Sequence, residues 1–332
     1  MPTETAMASL SDNLLVATIL FYAGAMLAYG VEYAFGARAS RKSSAKVLAT
    51  VGGGATVADA PVSPPVGGAV TEPSPLPRIA GQIGVVLNIV GVATHVATLI
   101  TRAIAAGRVP WGNMYEYAIT VCFVAMVAWL VVLTRQRSIR HIGAFVMLPI
   151  VLLLGLAGTV LYTPVVPLVP ALNSYWLWIH VSAATLASGI YMVGFVASAM
   201  YLIRYYHDKR FLAGRAVSFP LTLGPRLPAA EVLERTTFRV IAFAFPIWTF
   251  AIMAGAIWAE AAWSRYWGWD PKETWSFIAW VVYAAYLHAR STTGWKGPKA
   301  AWIAMVGWGV MMMNLFGVNL VISGLHSYAG LQ

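Results

Sequence analysis

Six of the 14 tryptophans in this 332-residue chain fall within residues 258–280, on either side of an Asp-Pro pair. They are Trp258, Trp263, Trp267, Trp269, Trp275 and Trp280. Tryptophan side chains are large, rigid and flat, so a dense cluster at the end of an apolar stretch can form a platform for a large flat ligand. The alternative interpretation is an aromatic belt at a membrane–water interface, which would account for two or three of them.

Two of the six histidines have positions that suit metal ligation. His180 lies near the start of one apolar stretch, and His326 directly follows the last one. If both stretches cross a membrane in the directions argued below, the two imidazoles reach the same face. They could then bind a flat metal complex from its two sides, as a pair of histidines holds haem iron. Taken singly, each would be an ordinary hydrogen-bonded interfacial histidine.

The other four histidines give weaker indications. His288 lies near the opposite end of its stretch, two residues before Arg290, where the residues alone favour an interfacial side chain that reaches water. His95 is 16 residues into its stretch, or about 24 Å along a helix. It therefore differs in depth from His288 and is predicted to be a buried, hydrogen-bonded residue. His141 and His207 lie among basic residues and are predicted to be solvated.

The sequence Asp-Pro-Lys-Glu at 270–273 predicts the start of a helix. Asp270 would be the N-cap, Pro271 the first helical residue, and Glu273 the second half of a capping box. Asp270 would then fix the angle at which the Trp-rich segment enters the helix, and direct contact with a ligand carboxylate is disfavoured because two carboxylates repel each other. The predicted contact surface for the ligand is Trp263, Trp267, Trp269 and Trp275, with Arg265 and Lys272 as partners for ligand carboxylates.

Composition predicts the fold class. Hydrophobic residues make up 59% of the chain and charged residues 10%, which is typical of a protein that contacts lipid along most of its length. Eight windows approach the roughly 20 apolar residues that cross a bilayer. These windows are roughly 14–35, 79–105, 116–134, 142–161, 175–203, 239–259, 271–289 and 300–323. The chain is therefore predicted to be an all-α integral membrane protein with about eight transmembrane helices.

The basic residues predict the orientation. Of the 22 Lys and Arg residues, 18 fall in the connections after the first, third, fifth and seventh windows. Such connections stay in the cytoplasm, so both termini and the Trp-rich loop at 258–275 are predicted to be extracytoplasmic. This topology accounts for the net charge of +10, and no nucleic-acid partner is expected. The predicted units are an N-terminal helix (1–36), a flexible cytoplasmic linker (37–78) and a ligand-handling bundle (79–332).

The Trp-rich segment resembles a known family. The run W-G-W-D at 267–270, its continuation PKETW and the GLHSY stretch near the C-terminus resemble the WWD-motif haem-handling proteins of the CcsA, or ResC, family. The resemblance extends from about Ile79 to the C-terminus and includes a P-x-x-N-x-Y-E stretch at 110–116. It implies that His180 and His326 are the external haem ligands and that His288 is a transmembrane haem ligand.

The resemblance also implies a function. A member would be the membrane subunit of a cytochrome c synthase that receives haem b, presents it externally and promotes thioether attachment to C-x-x-C-H apocytochromes. A CcsB/ResB-type membrane partner would supply the fourth haem-ligating histidine, and a thiol-reducing partner would act on the substrate, since the only cysteine here is Cys122. A haem exporter and a dihaem electron-transfer protein remain alternatives. Richness in Ala, Gly, Val and Arg indicates a bacterial cytoplasmic membrane rather than a thylakoid.

Overall fold

The computed structural model describes residues 2–51, 75–166, 172, 174–322 and 324–326. The described residues form α-helices joined by short 3₁₀ turns and loops, and contain no β-strand. The α-helices are α1 (Pro2–Val51), α2 (Leu76–Ala106), α3 (Met114–Arg135), α4 (Gly143–Thr159), α5 (Tyr175–Leu212), α6 (Ala230–Trp263), α7 (Pro271–Ser291), α8 (Pro298–Met312) and α9 (Val318–Leu320). The prediction of an all-α protein is confirmed.

All eight predicted windows are helical, and seven helical segments in the described residues are long and apolar enough to cross a membrane. The remaining window, 271–289, forms α7, which has 21 residues and is long enough to span but carries polar residues at both ends. Helix α1 continues to Val51, beyond the predicted start of the linker at residue 37, and residues 52–74 of that linker lie outside the described residues. The protein is thus an integral membrane protein.

Helices α1 and α2 pack closely because α2 places glycines against large side chains of α1. A methyl group at Gly84 would collide with Tyr29, and one at Gly91 would collide with Tyr22. Small residues of this kind let helices approach in lipid, where helix association depends on packing. His95 lies at this interface, fully buried, with its Nδ1 3.3 Å from the Tyr22 hydroxyl. It therefore occupies the hydrogen-bonded core position that the depth count predicted.

One end of the bundle, here called the basic end, is joined by polar contacts. Arg140, just before α4, forms an ion pair with Glu32 of α1. The Tyr33 hydroxyl donates to the carbonyl of Leu223 in the 3₁₀ turn Leu221–Arg226 (2.8 Å). The opposite end, called the cavity end, contains the Trp-rich segment.

Candidate functional site

A large cavity opens at the cavity end, between the start of α3, the start of α5, and helices α6, α7 and α8. This main cavity measures about 1030 Å³ including its mouth, and a second cavity of about 460 Å³ lies between α6 and the Trp-rich segment. The two cavities share six lining residues, His180, Trp248, Trp258, Lys272, Ser276 and His326. A mostly apolar cavity with a few polar groups is typical of a site for a large organic ligand.

His180 on α5 is held by one face of α6. Its Nδ1 lies 2.7 Å from the carbonyl oxygen of Ala251. A carbonyl oxygen only accepts, so Nδ1 carries the proton and Nε2 keeps its lone pair. Gly255, one turn further along α6, leaves room for the imidazole, since a methyl group there would collide with the ring. Trp258 then stacks on the imidazole, with centroids 6.0 Å apart and planes 11° apart.

His326 is held by a carboxylate. Its Nδ1 lies 2.8 Å from Oδ2 of Asp270, whose Oδ1 accepts a hydrogen bond from the backbone N–H of Leu325 (2.7 Å). The His326 ring makes edge-on contacts with Trp263 (5.0 Å) and Trp258 (5.6 Å). Like His180, it therefore has Nδ1 occupied by an acceptor. The two histidines line the same cavity and both contact the Trp258 ring, as their predicted equal depth requires.

The protonation of this pair suits ligation. Burial lowers the pKa of His326 below its ordinary value, and the hydrogen bond to Asp270 opposes that shift only in part. Burial raises the pKa of Asp270, but the hydrogen bonds from His326 and the Leu325 N–H outweigh burial and hold its pKa below the usual range. At neutral pH the arrangement is therefore a neutral imidazole that donates to a carboxylate. A histidine oriented in this way is a good metal ligand through its other nitrogen.

Asp270 also caps α7, as predicted. Its Oδ2 accepts from the Lys272 N–H (3.3 Å), and Oε2 of Glu273 accepts from the N–H groups of Asp270 (3.0 Å) and Gly268 (2.9 Å). The capping box is thus confirmed. What the residues alone did not indicate is that the same carboxylate orients His326. No local signal could have shown it, because the two residues are 56 positions apart.

The predicted tryptophan surface is only partly assembled. Trp263 and Trp267 line the second cavity, whereas Trp269 and Trp275 line neither cavity. Trp269 is 64% exposed and has a positive φ of 58°, a backbone conformation that is unfavourable for a non-glycine residue. Trp258, from the same sequence cluster, is buried at the centre of the site. The sequence cluster includes Trp258, but only the packing of α5 against α6 places it against His180.

The two predicted carboxylate partners differ. Lys272 lines both cavities, and its ammonium donates to the backbone carbonyl of Asn314 (3.1 Å). That carbonyl belongs to a π-helical turn, Met313–Gly317, a distortion often found at functional sites. Arg265 instead lies 3.6 Å from Oε1 of Glu273 and lines neither cavity. The geometry therefore favours Lys272 over Arg265 as a partner for a ligand in the main cavity.

His288 lies apart from this site. It is exposed on the outer face of α7, 17 residues after Pro271, or about 26 Å along the helix. Two residues later, Arg290 turns inward and lies 3.3 Å from Glu234 of α6. His288 thus faces away from the bundle near the basic end.

The loop before α3 is fixed by a buried carboxylate. Glu116 is fully buried and accepts hydrogen bonds from Arg102 (3.1 Å), Arg108 (2.7 Å) and the Gly112 N–H (2.8 Å). Asn113 caps α3 by accepting from the Glu116 N–H (2.8 Å). The structure places residues 111–114 on the wall of the main cavity.

Together the fold and the site define a helical membrane protein of many spans, with a cavity near one end that is lined by tryptophans and two oriented histidines. Residues 111–326 match the model of the family described as "Cytochrome C assembly protein". The chain therefore belongs to the cytochrome c assembly protein family, and its role lies in cytochrome c maturation.

Curated relatives agree with this assignment. The chain is 34% identical over 302 residues to "Cytochrome c biogenesis protein CcsA" of Synechococcus sp. (strain JA-3-3Ab), a match that covers 75% of this chain and 84% of the relative. It is 37% identical over 262 residues to the protein of the same name from Guillardia theta, covering 75% and 86%. The Cyanophora paradoxa protein is 33% identical over 264 residues, covering 69% and 82%. The relatives support the CcsA branch of the family that the Trp-rich segment indicated.

Proposed function

We propose that this chain is the membrane subunit of a cytochrome c synthase, and that its main cavity holds haem b between His180 and His326. The observation that carries the proposal is the matched state of the two imidazoles. Each lines the cavity, and each has Nδ1 hydrogen-bonded to a fixed acceptor, so that Nε2 is the nitrogen whose lone pair can bind iron.

Bound haem supplies two vinyl groups, to which the thiols of a C-x-x-C-H apocytochrome add to form thioethers. The protein's contribution is position and environment. Trp248, Trp258, Trp263 and Trp267 offer flat apolar contact, and the amino group of the half-buried Lys272 offers a donor to a haem propionate. Arg265 has a different role. Its guanidinium lies beside the carboxylate of Glu273, which accepts from the N–H groups of the turn that carries Asp270. Because the chain's one cysteine is buried, reduced substrate thiols require a separate thiol-reducing partner.

The basic residues favour a cavity end that faces the extracytoplasmic side. The basic end holds Arg140, Arg204 and Arg290, in agreement with the excess of Lys and Arg predicted for cytoplasmic connections. Haem presented in the cavity would then meet apocytochrome substrates outside the cytoplasm. The membrane concerned would be a bacterial cytoplasmic membrane.

A direct test is to reconstitute the attachment of haem to an apocytochrome. Co-expression of this chain, a CcsB/ResB-type partner and a C-x-x-C-H apocytochrome in a host without its own assembly system is expected to yield covalently bound haem, which is measured by haem staining after denaturing electrophoresis. Omitting the chain is the control. Haem bound by the complex without any covalent product would favour haem export and contradict the proposed synthase.

The outward position of His288 supports a partner that completes an inner haem site. An exposed histidine on a membrane helix is costly against lipid, so a protein surface is the better neighbour. The CcsB/ResB-type subunit would donate the second imidazole.

We therefore expect the purified complex to carry a second haem that His288→Ala removes, while the haem of the main cavity stays. Pyridine haemochrome analysis gives the haem content per complex. The control is His207→Ala, because His207 lies elsewhere on the chain, 3.0 Å from Asp208. An unchanged haem content in His288→Ala would rule out this role.

A further inference from the structure

Two residues of the loop before α3 that line the main cavity have side-chain N–H groups without an acceptor among the described residues. The indole Nε1 of Trp111 and the side-chain Nδ2 of Asn113 are both buried and without a hydrogen-bond partner in the described structure. Both residues lie on the wall of the main cavity. Buried donors are nearly always paired, so two unpaired donors on residues of one cavity wall point to a ligand that accepts from them.

The loop is held rigidly in the form that presents these donors. Glu116 binds Arg108 and the Gly112 N–H through Oε2, and Arg102 through Oε1. The backbone N–H of Trp111 donates to the Val109 carbonyl (3.1 Å). A loop ordered before the ligand arrives does not have to be ordered by binding, which favours affinity.

The chemistry of the loop selects the kind of ligand group. The side-chain acceptors of the loop are already used, because Oδ1 of Asn113 accepts from the Glu116 N–H and both oxygens of Glu116 are occupied. The unpaired side-chain groups of Trp111 and Asn113 are donors only. An acceptor-only group, an ionised carboxylate, matches them.

We propose that Trp111 and Asn113 form a carboxylate subsite of the main cavity, and that it binds one propionate of haem while Lys272 binds the other. The inference rests on the proposed haem site. The propionates are the only ionised carboxylates on a haem, and a porphyrin held between His180 and His326 carries both on one edge. The subsite gives a function to the P-x-x-N-x-Y-E stretch, in which Glu116 positions the loop and Asn113 both caps α3 and contacts the ligand.

The test compares haem with haem dimethyl ester, in which both propionates lose their charge. The purified full-length chain is titrated with each, and the ratio of the two dissociation constants gives its preference for free carboxylates. Trp111→Phe removes the N–H and keeps a ring, and Asn113→Asp keeps the cap while replacing the donor by a carboxylate. Each variant is expected to reduce the preference about tenfold, the size of one hydrogen bond to a charged group, with little change in affinity for the ester.

Two controls make the result decisive. Trp295→Phe alters a 51% exposed tryptophan in the connection before α8, outside both cavity linings, and should leave the preference unchanged. The bis-histidine absorption spectrum should be the same in all variants, which separates loss of the subsite from misfolding. If both Trp111→Phe and Asn113→Asp keep the wild-type preference for free carboxylates, the inference is wrong. Water would then be the acceptor for the two N–H groups. Failure of the wild-type chain to bind either porphyrin would instead overturn the proposed haem site, and this subsite with it.

Discussion

Replacing His180 or His326 with alanine is expected to lower haem affinity of the main cavity by at least roughly 100-fold and to abolish cytochrome assembly, while the protein still inserts in the membrane. The reason is that each variant removes one axial ligand, and loss of a residue that merely orients a ligand already costs about 10–100-fold. Haem titration, the absorption spectrum and the yield of covalent cytochrome give the three readouts.

Added imidazole provides an internal check on these variants. In His180→Ala the space beside Gly255 and Trp258 is vacated next to the Ala251 carbonyl, which can accept from an imidazole N–H. We expect imidazole to restore a bis-nitrogen spectrum. His207→Ala is the matched control. Normal cytochrome assembly in both His180→Ala and His326→Ala would refute the ligand assignment.

The second large effect is expected at Asp270. If this residue were only a helix cap, Asp270→Asn would retain most activity, because asparagine caps about as well as aspartate. The structure predicts a different result, since the Asp270 carboxylate accepts from both His326 and the Leu325 N–H. An amide has one acceptor atom, so one donor loses its partner or the His326 tautomer changes. We expect a loss of about 10–100-fold in haem affinity with nearly unchanged thermal stability.

Two further variants separate the cap from the orientation of His326. Asp270→Leu removes both, so it should also lower the free energy of unfolding by about 1–3 kcal/mol through lost capping and unpaired donors. Glu273→Gln alters the other half of the capping box but keeps an acceptor oxygen for the N–H groups of Asp270 and Gly268, and should keep most of the haem affinity. Wild-type haem affinity in Asp270→Asn would show that capping is its whole contribution.

The sequence predicted the structure best where the cause of a feature is local. The helical windows follow from stretches of apolar residues long enough to cross a bilayer, and the α7 start follows from Asp270, Pro271 and Glu273, which interact over three positions. The equal depth of His180 and His326 follows from helix length, because each residue adds a fixed rise. These features depend on neighbours in sequence, so the sequence contains the information.

The sequence by itself therefore determined the membrane-spanning helical architecture, the cap at Asp270 and the two histidines at one depth. Only the tertiary structure decided which faces of the helices meet, since in lipid all faces of a helix can be apolar and periodicity no longer marks the buried one. That choice placed Trp258 against His180, joined Asp270 to His326 across 56 residues, and turned His288 outward. It also left Trp111 and Asn113 on the cavity wall with unpaired donors, because hydrogen-bond satisfaction is a property of the folded neighbourhood and not of the chain.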